Sequence, residues 1–105
     1  MTQIKGHDYT WNQSWIDFKA PNAQGVYCLL DKDGKVIFIG KGKIRESLLR
    51  HWNQENSGDA RIWSHAPAFF RFELTTQPAA REAELIQQLK PPCNPIAHSH
   101  FPKFC

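Results

Sequence analysis

At 105 residues, with 41% hydrophobic and 22% charged side chains, the chain has room for one domain with a modest core and an ordinary globular composition. No stretch approaches an apolar membrane span. The polar start around Thr2, Gln3 and Lys5 lacks the apolar core of a signal peptide, so the expected location is the cytoplasm. A net charge of +3 and an isoelectric point near 8.9 are too mild to indicate a nucleic-acid partner by themselves. Distribution says more: Lys32, Lys35, Lys41, Lys43, Arg45 and Arg50 share one short segment with only Asp31, Asp33 and Glu46. Three cysteines, Cys28, Cys93 and Cys105, are an odd number without framework spacing and suit a reduced compartment.

Trp11, Trp15 and Phe18 lie four and then three apart, which predicts a short helix or turn pinning an N-terminal arm to the body, with core packing the favoured role for the rings. Pro21-Asn22 ends it. Residues 25–31 and 35–40 are rich in strand formers around Asp33-Gly34, a tight hairpin signal. A two-residue turn there pairs position 27 with 40 and 29 with 38. Tyr27 and Phe38 then share one face of the ribbon, and Gly40 opposite Tyr27 is expected to leave a small pocket beside the phenol.

Ile44, Leu48 and Trp52 recur at helical spacing to about residue 54. Asn56-Ser57-Gly58-Asp59 reads as a loop. Phe69 to Thr75 reads as a third strand, with Phe70, Phe72 and Leu74 on one side and Arg71 and Glu73 on the other. Pro78 opens a second helix through Leu89, and Pro91-Pro92 stops it. The order β-β-α-β-α predicts an α+β fold, a small antiparallel three-stranded sheet flanked by helices. The expected organisation is an arm over 1–24, a catalytic-type domain over 25–95 and a tail over 96–105.

Gly25-Val26-Tyr27, Phe38-Ile39-Gly40, the basic run from Lys41 to His51, and Arg81-Glu82-Ala83-Glu84-Leu85-Ile86 followed by Pro91-Pro92-Cys93-Asn94 form an ordered set. This set resembles the GIY-YIG nuclease superfamily over roughly residues 25–95. The resemblance implies a divalent-metal-dependent endonuclease acting on nucleic acid, with DNA the first choice; family members usually gain specificity from appended domains, so any specificity here is expected to come from a protein partner or to be low. It implies Tyr27, Lys41, His51, Glu82 and Asn94 as catalytic residues, Glu82 also as the ligand of one Mg²⁺ or Mn²⁺, and Lys43, Arg45 and Arg50 as phosphate contacts. The chemistry agrees. A hard cation accepts a single carboxylate plus substrate oxygens, while tyrosine, lysine and histidine can move protons at an attacking water.

Two positions depart from the family pattern. Phe38 stands where a tyrosine is usual, and a phenyl ring cannot donate, accept or ionise. Ser47 stands where the signature arginine is expected, and serine cannot contact phosphate bidentately. Arg50 and Arg45 are the candidate substitutes. A nucleic-acid- or partner-binding module that keeps the fold without efficient cleavage is therefore the alternative. Each site residue also has an ordinary structural role: a core-capping Tyr27, a dipole-compensating Glu82, a surface His51, a turn-forming Asn94.

Gly40-Lys41-Gly42-Lys43 lacks the spacing of a nucleotide-binding loop. Cys93, His98, His100 and Cys105 supply four zinc-type ligands, but their spacing matches no common finger or ribbon. A tail tacked down by Phe101 and Phe104 is the preferred reading there.

Overall fold

The computed structural model describes residues 6–53 and 66–91. Its elements are β1 (Tyr9–Thr10), α1 (Gln13–Lys19), β2 (Gln24–Leu30), β3 (Val36–Lys43), α2 (Ile44–Asn53), β4 (Phe69–Leu74) and α3 (Pro78–Leu89). The architecture is the expected α+β one, an antiparallel sheet flanked by helices. The sheet has four strands rather than three, in the order β1-β4-β2-β3. The additional strand pairs Tyr9 with Phe70 and Thr10 with Phe69, too short a run to leave a periodic signal. The loop expected over 56–59 lies outside the described residues. Among the described residues, no helix is long and apolar enough to cross a membrane.

The hairpin has the expected register through a different construction. Tyr27 pairs with Gly40 and Leu29 with Phe38, but the turn is not a two-residue one. Asp31 N–H donates to the Lys35 carbonyl and Gly34 N–H to the Asp31 carbonyl, closing a three-residue loop with Gly34 at φ +83°. The Asp31 carboxylate accepts from the Asp33 and Lys35 amides, both at 2.9 Å, a local bond that aspartate favours in turns. This loop shifts pairing by one residue, and a bulge restores it. The partner of Leu30 is Val36, so Ile37 is left as the extra residue of β3.

Alternation along β2 separates two cores. Tyr27 and Leu29 face α1 and α2 with Trp11, Ile16, Ile37, Ile44, Leu48 and Phe70. Val26, Cys28 and Leu30 face α3 with Ile39 and Leu85. α1 begins at Asn12, whose side chain accepts from Trp15 N–H at 2.8 Å and satisfies a free helix-end donor. α3 begins at Pro78 and ends at Lys90 in the left-handed conformation. Of the three N-terminal aromatics, only Trp11 is buried.

Burial pushes the Cys28 thiol up to about 12, partly offset by the nearby Arg71. The folded state therefore holds this thiol neutral to higher pH than the unfolded chain does. Below the unfolded value both states are neutral. As pH rises from there toward about 12, only the unfolded chain ionises, and stability is lost. Peptide mapping after iodoacetamide treatment should find Cys28 unmodified in the native protein and modified in urea, because the thiolate is the reactive form.

Candidate active site

The Tyr27 hydroxyl and His51 Nε2 lie 2.8 Å apart in a buried hydrogen bond. With the imidazole proton on Nδ1 the phenol donates; with it on Nε2 the imidazole donates. His51 reaches this place because Ile44, Ser47, Leu48 and His51 form the buried stripe of α2 at three- and four-residue spacing. It is 8% exposed, not the surface residue its ordinary reading suggested. Phe38 completes the cluster, its ring centroid 5.0 Å from His51 and 6.3 Å from Tyr27. The space expected beside the phenol is filled. A Cβ at Gly40 would collide with Oη, Cζ and Cε1 of Tyr27, so the space left by glycine holds the phenol itself.

The second pair is Lys41 and Glu82, with Nζ 3.4 Å from Oε1. Lys41 lies at the end of β3, not in the helix, and pairs with Val26, which pairs in turn with Glu73 of β4. These three residues make one row across the face that α3 covers. Consecutive residues of α3 span the row's ends. Arg81 donates to both Glu73 oxygens, at 2.8 and 3.0 Å, and Glu82 reaches Lys41. Arg81, which ties α3 to β4 immediately before Glu82, was not singled out from the sequence. Its clue was a cation beside Glu82 and an acid facing outward on the preceding strand. The hydrogen bond to Glu73, and then that to Glu84, holds its guanidinium charged even more firmly than usual.

The two pairs leave opposite faces of the β2–β3 ribbon at adjacent positions, Gly40 and Lys41, on an edge strand. Lys43 and Arg50 are exposed. Arg45 is already engaged: its Nε donates to the Ala20 carbonyl at 2.8 Å, tying α1 to α2, so it is not poised as the substitute for the signature arginine. Ser47 is buried, with Oγ near the bare Cα of Gly42. Asn94, and the Cys93, His98, His100 and Cys105 set, lie outside the described residues. Among the described residues no group of three or more histidine, cysteine or acidic side chains converges as a metal cage. Among the described residues, Glu82 is the carboxylate that faces Lys41, and a single carboxylate would suffice for Mg²⁺, which keeps most of its waters.

Residues 11–90 match the family described as a domain of unknown function, DUF7508. The chain belongs to that family. DUF7508 here is a GIY-YIG-type domain. The GIY-YIG N-terminal endonuclease domain of UvrC from Thermotoga maritima, with magnesium as its catalytic divalent cation, superposes with a TM-score of 0.60 at 28% identity, covering 72% of this chain and 91% of that one. A point mutant of the same domain, bound to its catalytic divalent cation, gives a TM-score of 0.60 at 28% identity, covering 72% and 90%. UvrABC system protein C of Francisella tularensis is 29% identical over 80 residues, 76% of this chain. The DUF7508 chain spans only 12% of that relative's length.

Proposed function

We propose that this DUF7508 protein hydrolyses nucleic-acid phosphodiester bonds with one divalent cation, and that DNA is its substrate. The observation that carries this reading is the Lys41–Glu82 pair, open to solvent at the end of the Phe38-Ile39-Gly40 strand and one residue from the Tyr27–His51 pair. The Thermotoga domain of the same fold carries a catalytic magnesium, and Glu82 would hold the ion here. When bound, such an ion neutralises phosphate charge and acidifies a coordinated water. Lys41 and Lys43 attract and orient the phosphate. Tyr27 takes a proton from the attacking water as it passes its own to His51 Nε2, which requires the neutral imidazole. Sequence choice comes from a protein partner.

Tyrosine-to-phenylalanine point mutants of the Thermotoga domain are bound to the catalytic divalent cation. By analogy, Phe38 is compatible with a held ion, and its cost falls on proton transfer, about 10²–10⁴ in rate for a lost acid–base group. Divalent-dependent nicking of supercoiled plasmid, lost in Glu82→Ala, tests the proposal.

The ammonium of Lys41 competes with a cation for Glu82. Lys41→Met should therefore tighten Mn²⁺ binding a few-fold, roughly the worth of a half-exposed ion pair, while slowing cleavage. Manganese EPR titration checks the first part, and weaker binding in the variant would refute it.

Two observations favour a second reading, a module that binds without efficient cleavage. Tyr27 is only 2% exposed, and Arg45 is committed to Ala20. On that reading Phe38→Tyr with Ser47→Arg creates activity that the parent lacks.

A further inference from the structure

Trp15 and Phe18, near the start of the chain, are not absorbed by the core. From the sheet outward, Phe72 stacks on Tyr9 at 5.9 Å, Tyr9 on Trp15 at 6.3 Å, and Trp15 meets Phe18 at 6.1 Å. This ladder of rings ends in solvent, with Trp15 38% and Phe18 73% exposed. Burying a large ring is worth a few kcal/mol, and Phe18, at the end of the stack, gains only a small part of that. Lys19 Nζ lies 4.7 Å from the Phe18 ring centroid and 5.9 Å from that of Tyr9, placing a cation over the rings. Of the acids on these elements, Asp8 is held by Arg71 at 2.6 Å, leaving the exposed Asp17.

The ladder lies on the sheet face that α1 and α2 cover, opposite the face that carries the Lys41–Val26–Glu73 row. Arg45 N–H donates to the Pro21 carbonyl and Ile44 N–H to that of Ala23. The end of α1, with Phe18 and Lys19, is therefore clamped against the start of α2, directly after Lys43.

We infer that this ladder is a stacking platform for unpaired bases of single-stranded nucleic acid, with Lys19 against the adjoining phosphate. Stacking on an exposed ring asks only for a base with a π-face, so it is insensitive to sequence, and the neighbouring cation supplies the salt-dependent part. The inference rests on the nucleic-acid reading above and narrows it to substrates with a single-stranded segment.

The test is fluorescence anisotropy of labelled oligothymidylate, and of a duplex of the same length, titrated in EDTA with the parent, Phe18→Ala and Lys43→Ala. Phe18 is exposed, and an unchanged urea melt will show that its variant folds. Phe18→Ala should weaken single-strand binding by ~10-fold, the order expected for a lost base–aromatic stack, and leave duplex binding nearly unchanged. Lys43→Ala should weaken both. Equal single-strand binding by the parent and Phe18→Ala, with Lys43→Ala still weaker, overturns the platform while the nucleic-acid reading stands. No binding of either probe by the parent overturns both. Concentration-dependent dimerisation that Phe18→Ala abolishes, seen by sedimentation velocity without single-strand binding, assigns the rings to a second copy and overturns the platform.

Discussion

Gly40→Ala will separate Tyr27 from His51 and cost the fold roughly 2–4 kcal/mol, the sum of a typical overpacking penalty and one buried hydrogen bond. The new methyl enters the space that the phenol fills, and that phenol has no easy escape. Tyr27 is a core residue 2% exposed, with His51 and Phe38 ring centroids 5.7 and 6.3 Å away. The loss is a large share of a small domain's stability. The check is a double-mutant cycle by urea denaturation. In a Tyr27→Leu background the obstruction is gone, so Gly40→Ala should cost much less, and the difference is the coupling energy. Equal costs in both backgrounds would show that the phenol is not what requires glycine.

Tyr27→Phe and Glu82→Gln should separate stability from activity. The first removes a buried hydrogen bond worth roughly 0.5–1.5 kcal/mol and, on the proposed proton route, about 10²–10⁴ in rate. The second removes a 3.4 Å contact between partly exposed groups, worth about 0–1 kcal/mol, so melting should barely move. Its effect on cleavage should nonetheless be the larger, because the acidic donor for a cation is lost. Paired melts and single-turnover rates check both. A Glu82→Gln variant that unfolds readily but cleaves normally would make Glu82 a structural residue.

The hairpin shows what was legible in the sequence and why. Strand propensity and Asp33-Gly34 located the turn, and alternation put Tyr27 and Phe38 together. The loop length was misjudged because the carboxylate of Asp31 organises a longer turn, yet the bulge at Ile37 cancelled the error and preserved the register. The buried face of α2 was readable from Ile44, Leu48 and Trp52, but that pattern concealed two polar members: Ser47, which lies against Gly42, and His51, which bonds the Tyr27 hydroxyl. The engagement of Arg45 and the row Glu73–Val26–Lys41 that Arg81 and Glu82 span are tertiary facts, set by how α1 and α3 dock. No local pattern encodes them.

The most direct measurement of the central claim is conversion of supercoiled plasmid to open circle, with Mg²⁺ or Mn²⁺, by the parent and Glu82→Ala purified in parallel. Metal-dependent conversion by the parent and none by the variant is the expected result. Equal conversion by the two proteins, or none by the parent, would contradict the claim.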